Sequence, residues 1–195
     1  MESKKVSALD RLVIVSNTSP LICLANMDSL DLISKYKDAT LYGKEFRFLI
    51  PQEVLDEVKS QKGKVNEFIR KNDFVEVLPK LIEIPEAVKG YANTMVYEHF
   101  TQHAQRKPEH HYPECIVIYH AKALNSFAVL IDENAARSVA KAECLMALNH
   151  VGLLREAVKA NLVSRENAMR RFKLGLKNGN RYKNQRAIIE VLGEL

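Results

Sequence analysis

The sequence predicts an α/β protein, a three-layer α/β/α sandwich around a mostly parallel sheet, on three observations. Residues 12–15 (LVIV), 46–50 (FRFLI) and 127–131 (FAVLI) are short apolar runs of the kind found in strands buried within a parallel sheet. Each run ends at polar or turn-forming residues and passes into a helical stretch, so strands and helices alternate along the chain. The length, 195 residues, suffices for one substantial core and leaves little room for two. The expected organisation is a single domain over residues 1–195. It comprises an α/β core at about 12–162 with right-handed crossovers and a basic helical C-terminal extension at about 163–195.

The run at 12–15 has no polar face, and Ser16 and Asn17 end it. Thr18 or Ser19 can cap the next helix through a hydroxyl, and Pro20 suits its first position, where no amide donor is needed. That helix is expected to reach roughly Lys35, with Leu21, Leu24, Ala25 and Leu30 on one stripe. The strand at 46–50 leads through Pro51 into a second helix, PQEVLDEVKS, whose Val54, Leu55 and Val58 face inward. Residues 65–71 continue as helix, and FVEVL at 74–78 alternates like an edge strand. A long amphipathic stretch from Pro85 to Gln105 and a break at KPEHHY precede the most apolar helix, PECIVIYHAKAL, which Pro113 begins. The strand at 127–131 ends in Asp132, Glu133 and Asn134, and a helix follows at 135–141. Residues 143–148 read as one more short strand. From Gly152 onward the chain is helical in three pieces, separated near Val163 and at Gly179.

Composition narrows the function classes. With 47% hydrophobic and 27% charged residues, seven Gly and six Pro, neither disorder nor low complexity is indicated. The opening MESKKVSALDRL lacks an apolar signal region, and no apolar run approaches the ~18 residues of a bilayer span, so a cytoplasmic protein without a membrane partner is expected. Cys23, Cys115 and Cys144 lie singly in apolar segments and are expected as buried free thiols. No GxGxxG or Walker-type glycine loop follows a strand, which argues against a nucleotide-binding enzyme. His99 and His103 have the four-residue spacing of a shared zinc, but HHYPE lacks finger spacing and no Cys lies near, so exposed histidines are expected. The net charge of +5 is C-terminal: residues 150–195 carry ten Lys and Arg against four Glu, and the preceding residues sum to −1. A surface for a polyanion and a merely solvated helical face both produce such a bias.

Polar residues stand at the carboxyl ends of the strands, where open α/β sheets bind ligands. Asn17 follows the first strand, Glu57 lies in the helix after the second, Glu114 occupies the first turn of an otherwise apolar helix, and Asp132 directly follows five apolar residues with Glu133 beside it. Each alone reads equally as a cap, a turn residue, a dipole-stabilising acid or a solvated carboxylate. Together, carboxylates gathered at one sheet edge repel one another unless a cation neutralises them. Oxygen-only ligands select Mg²⁺ or Mn²⁺ over zinc. The chemistry such a centre supports is metal-assisted phosphoryl transfer.

VIVSNTSPLICLA at 13–25, LIPQEVLDEV at 49–58, YPECIVIYHA at 112–121 and VLIDENAARSVA at 129–140 resemble the four motifs of the PIN-domain nucleases, and ALNHVGLLREAVKANLVS at 147–164 resembles their last crossover. The closest branch by this likeness is the small prokaryotic PIN proteins that include toxins of toxin–antitoxin modules. The resemblance implies a Mg²⁺- or Mn²⁺-dependent endoribonuclease cutting single-stranded RNA, often a homodimer, with an antitoxin protein as partner. It places the four family acids on Asn17, Glu57, Glu114 and either Asp132 or Glu133. Asn17 departs from the usual Asp: it offers a neutral carbonyl oxygen, keeps the geometry and removes one negative charge. The family often has Gly before the third acid, where Tyr112 and Pro113 stand here. The alternative is a weakly active or inactive PIN-like module that binds nucleic acid or a protein partner. Ser16, Thr18 and Ser19 are candidates to orient water or touch phosphate, His110 or His111 to contact phosphate, and Arg170, Arg171 and Lys173 to bind RNA.

Overall fold

The computed structural model describes residues 11–40, 45–58, 61–98, 107–182 and 184–194. Five strands, β1 (Arg11–Ser16), β2 (Glu45–Pro51), β3 (Val75–Leu78), β4 (Ala128–Leu130) and β5 (Met146–Leu148), form one sheet in the order β3-β2-β1-β4-β5. All four pairings are parallel, with Val15 opposite Leu49 on one side and Val129 on the other. β1 is therefore central, and the strand order runs outward from it in both directions. That makes the β1/β4 boundary the topological switch point, where side chains beyond the strand ends face a crevice rather than a covering connection. Val13, Val15, Phe48, Leu49, Ile50, Val129 and Leu130 are buried, as a sheet covered on both faces requires.

Ten helices flank the sheet among the described residues: α1 (Thr18–Asn26), α2 (Asp31–Thr40), α3 (Gln52–Glu57), α4 (Lys62–Lys71), α5 (Glu86–Glu98), α6 (Tyr112–Ala123), α7 (Asn134–Ala142), α8 (His150–Lys159), α9 (Arg165–Lys177) and α10 (Gln185–Glu194). Helices α5, α6 and α7 pack on one another, and α1, α2, α8 and α9 form a second group. The predicted α/β/α sandwich stands, with a sheet that is parallel throughout and β3 at its edge. No helix among the described residues is long and apolar enough to cross a membrane. His99 and His103 lie outside the described residues.

The structure corrects several local expectations. The single helix expected from Pro20 to Lys35 is two, because Asp28 adopts a left-handed conformation at φ 50° and the chain turns there, with the Ser29 amide donating to the Leu24 carbonyl at 2.8 Å. The apolar stripe runs on through that turn, so periodicity alone does not mark it. α1 starts at Thr18 with Asn17 as its N-cap residue, and neither hydroxyl caps it. Pro20 is thus third in the helix, still within the first turn, where backbone N–H groups have no partner to lose. Of the thiols only Cys115 is buried. Cys23 is half-buried, and Cys144 is exposed at φ 61° just past α7.

The C-terminal helices share the core. Phe172 of α9 is fully buried, and α9 packs on α1 so closely at Gly175 that an added Cβ would lie 2.5 Å from Met27 Cγ and 2.7 Å from Asn180 Nδ2. A ladder of amides closes the same seam: Asn26 Nδ2 donates to Asn180 Oδ1 at 2.8 Å, and Asn178 Nδ2 to the Asn26 carbonyl at 2.7 Å.

Candidate metal centre

The site is built from the carboxyl ends of β1 and β4 and the amino end of α6. The backbone N–H of Asn17 donates to the Leu130 carbonyl at 2.9 Å, which fixes the end of β1 against the end of β4. α6 runs back into β4, so its first turn, with Glu114, lies at the same edge. Asn17 is only 2% exposed. Its Nδ2 donates to Glu114 Oε1 at 3.1 Å, while its Oδ1 is buried with no hydrogen-bond partner. A buried amide oxygen left unpaired costs about 1–3 kcal/mol, so it marks a place suited to a further group.

Glu133 and His111 complete this first cluster. One donor atom from each of His111, Glu114 and Glu133 lies within 4.8 Å of the others. His111 Nδ1 and Glu133 Oε2 are 3.7 Å apart. Burial pushes the Glu114 carboxyl up to about 7, and the charges of Glu133 and Glu57 add to the rise, against the hydrogen bond from Asn17. Burial is the larger cause; the repulsion from Glu133 and Glu57 is the part anticipated from sequence, and a cation relieves it.

Glu57 approaches from the second strand's side. It is exposed at the last position of α3, and its Oε2 lies 3.0 Å from the Thr18 hydroxyl, which also reaches the Val54 carbonyl at 3.1 Å. Thr18 thereby ties the start of α1 to α3.

Asp132 is not part of the cluster of His111, Glu114 and Glu133, and both its oxygens are committed. Oδ2 accepts from the Ser19 hydroxyl at 3.0 Å, and Oδ1 accepts from the His150 backbone at 3.1 Å and from its Nδ1 at 2.7 Å. Because a carboxylate only accepts, this network assigns the ring proton to Nδ1. His150 Nε2 meets the Tyr182 hydroxyl at 2.8 Å, and Tyr182 in turn accepts from Asn180 Nδ2 at 3.1 Å. Burial works against ionisation of Asp132, yet the hydrogen bonds of His150 and Ser19 prevail and hold it below the usual carboxylate range. Cys23 joins this second cluster, with one donor atom each from Cys23, Asp132 and His150 within 4.8 Å. Burial, then the adjacent Asp132, pushes its thiol up to about 12.

The structure thus gathers Asn17, Glu114 and Glu133, keeps Glu57 within electrostatic reach, and engages Asp132 elsewhere. Ser16 is fully buried, with its hydroxyl donating to the Asn17 carbonyl at 3.1 Å, so it has no path to a phosphate. Arg171 is corrected likewise. It is 8% exposed, and its guanidinium binds Asn167, the Asp28 carbonyl and both oxygens of Asp31, the last at 2.9 Å to Oδ2. Arg170 and Lys173 on the same helix are exposed. The hydrogen-bond network of Ser19, His150 and Tyr182 around Asp132 is not among the sequence expectations. Its one legible signal was that Asn149 and His150 follow a strand at the ligand-binding edge. Tyr182 gave none.

The residues present fit a hard divalent cation: carboxylate oxygens from Glu114 and Glu133 and an amide oxygen from Asn17 that nothing else satisfies. Fold and site together define an α/β/α sandwich with an acidic centre at the switch point of a parallel sheet. A family model described as a PIN domain matches residues 13–194, and the chain belongs to the PIN-domain family. PIN domains are in general nucleases. A comparison with curated proteins finds no match.

Proposed function

We propose that the chain is a Mg²⁺- or Mn²⁺-dependent endoribonuclease that hydrolyses phosphodiester bonds in single-stranded RNA. The observation that carries this reading is the buried, unpartnered Oδ1 of Asn17 beside a Glu114 carboxyl that burial and like charges push up to about 7. Glu114 and Glu133 hold the ion, and Asn17 adds a neutral oxygen. When bound, the ion supplies Lewis acidity, drawing charge from the scissile phosphate and making water a better nucleophile. The Asn17 amide nitrogen orients Glu114 through their 3.1 Å hydrogen bond. Glu57, held by Thr18, adds a carboxylate at the rim able to accept a proton from water. Asp132, clamped by Ser19 and His150, fixes the turn after β4 that presents Glu133. Arg170 and Lys173 meet the RNA backbone from the exposed side of α9.

The family likeness supports extending this reading to a cytoplasmic toxin, active as a homodimer and neutralised by an antitoxin protein. One observation favours a second reading. The first family acid is a neutral amide, which weakens metal binding, so a binding module with little activity has the same fold and surface. Cleavage of single-stranded RNA in Mn²⁺ by wild type and by Glu114→Gln separates the two. Metal-dependent cleavage that the variant lacks supports the nuclease. RNA binding without cleavage, and without measurable Mn²⁺ binding, supports the module.

A further inference from the structure

We propose that His111 is a ligand of the ion held by Glu114 and Glu133, and that its nitrogen makes this centre select Mn²⁺ over Mg²⁺. The inference rests on the metal-dependent reading above and adds a donor type to it. His111 ends the 3-10 turn Pro108–His111 and is the N-cap residue of α6, three positions before Glu114. Residues three apart at a helix start lie on one face, so the imidazole and the carboxyl are presented together. The neighbouring His110 is exposed, whereas His111 is 7% exposed. Its ring nitrogens make no hydrogen bond among the described residues and are not sealed from solvent, so they stay open to an incoming ligand.

Its nearest acid partner has a separation that suits an ion better than a proton. Nδ1 of His111 and Oε2 of Glu133 are 3.7 Å apart, too far for a hydrogen bond. Two donors bound to one cation at about 2.1 Å lie about 3 to 4.2 Å from each other, depending on the angle between them. The Glu133 carboxylate likewise makes no hydrogen bond among the described residues, and its distance to Glu114 falls within the same 4.8 Å cluster. The unpartnered Asn17 Oδ1, on the amide that touches Glu114, is an independent sign that a group belongs here.

The other cluster with metal-binding residue types behaves differently. In Cys23, Asp132 and His150, the histidine and carboxylate already satisfy each other at 2.7 Å, and the second ring nitrogen is bound to Tyr182. That is a closed hydrogen-bond network. Around Glu114, by contrast, Asn17 Oδ1 has no partner among the described residues, and His111 and Glu133 meet only at 3.7 Å, beyond hydrogen-bond length. An imidazole in an otherwise oxygen set disfavours Mg²⁺, which takes oxygen ligands, relative to a transition-metal ion, and Mn²⁺ is the one that the remaining oxygen donors also suit.

Pulsed electron paramagnetic resonance on the full chain titrated with Mn²⁺ tests this without reference to activity. The wild type should show spin-echo modulation from a coordinated imidazole nitrogen, and histidine labelled with the heavier nitrogen isotope should change its pattern. His111→Gln should abolish the modulation and weaken Mn²⁺ binding at least about tenfold, the scale of losing a tuned metal contact. Mg²⁺ affinity, read by competition, should change less than about threefold, because Mg²⁺ gains little from an imidazole. His110→Gln, at the exposed neighbouring ring, should leave the modulation intact. Mn²⁺ bound without nitrogen modulation in the wild type overturns the inference and leaves the oxygen-ligated centre standing. Modulation that survives His111→Gln, or that His110→Gln removes, also overturns it. A wild type that binds no Mn²⁺ overturns this inference and the metal-dependent reading together. The isotope experiment on the wild type shows whether a histidine coordinates at all, and unchanged circular dichroism of both variants shows that the substitutions act at the ion and not on the fold.

Discussion

Replacing Glu114 by Gln should stabilise the metal-free protein at alkaline pH, although it removes a residue at the heart of the site. The Glu114 carboxyl is raised from 4.5 to about 7, by burial first and then by Glu133 and Glu57. An acid whose folded pKa lies above its unfolded one stabilises fully below the unfolded value. That contribution is lost as pH rises through the folded value, here between about 4.5 and 7. At about pH 8 the ionised carboxylate therefore costs the fold about 3 kcal/mol relative to acid conditions. Gln keeps an oxygen for the Asn17 amide and carries no charge. In a chelating buffer the variant should exceed wild type by about 2–3 kcal/mol at about pH 8, and the two should agree within about 1 kcal/mol at about pH 5. For a chain of this length that is a Tm difference of about 5–10 °C by calorimetry at the higher pH. Saturating Mn²⁺ should raise the wild-type Tm and narrow the gap, because a ligand bound only by the native state stabilises it. A Tm difference of the same size at both pH values, or a variant less stable at both, would refute the reasoning, because the penalty would then not be one of charge.

The cations of α9 should divide into two kinds. Arg170→Ala with Lys173→Ala should leave stability within about 0.5 kcal/mol and lower the salt slope of single-stranded RNA binding by about 1.4, measured by fluorescence anisotropy. Arg171→Ala should cost about 2–3 kcal/mol in urea unfolding, since it removes the partner that holds Asp31 and the turn at Asp28. Gly175→Ala should cost about 1–3 kcal/mol in the same assay, because its Cβ would meet Met27 Cγ at 2.5 Å. Asn17→Asp should return one negative charge to the centre and tighten Mn²⁺ binding by about tenfold in calorimetry. Unchanged affinity would remove residue 17 from the ligand set.

The architecture was legible because its signals are local. Apolar runs such as LVIV, polar residues at their ends and helical stretches between them specify a parallel sheet and its ligand-binding edge. The edge in turn named Asn17, Glu57, Glu114 and the Asp132–Glu133 pair. What sequence could not decide was which of that pair faces Glu114. Adjacent residues beyond a strand point in different directions, and the choice depends on Ser19 and His150, distant in sequence, capturing Asp132. The helix break at Asp28 leaves no mark in the sequence because apolar spacing continues through it, although its positive φ and the Arg171 guanidinium on its carbonyl hold it open. Charge likewise gave the basic C-terminal bias without saying that Arg171 points inward to Asp31 while Arg170 points out. Burial of His111 beside exposed His110 is a matter of one helix start, and no spacing rule distinguishes the two.

Anomalous diffraction from crystals of the full chain soaked in Mn²⁺ tests the central claim most directly. The account predicts a peak between Glu114 and Glu133, within coordinating distance of Asn17 Oδ1. A peak beside Cys23, Asp132 and His150 instead, or no peak at either cluster with the protein still folded, would contradict it.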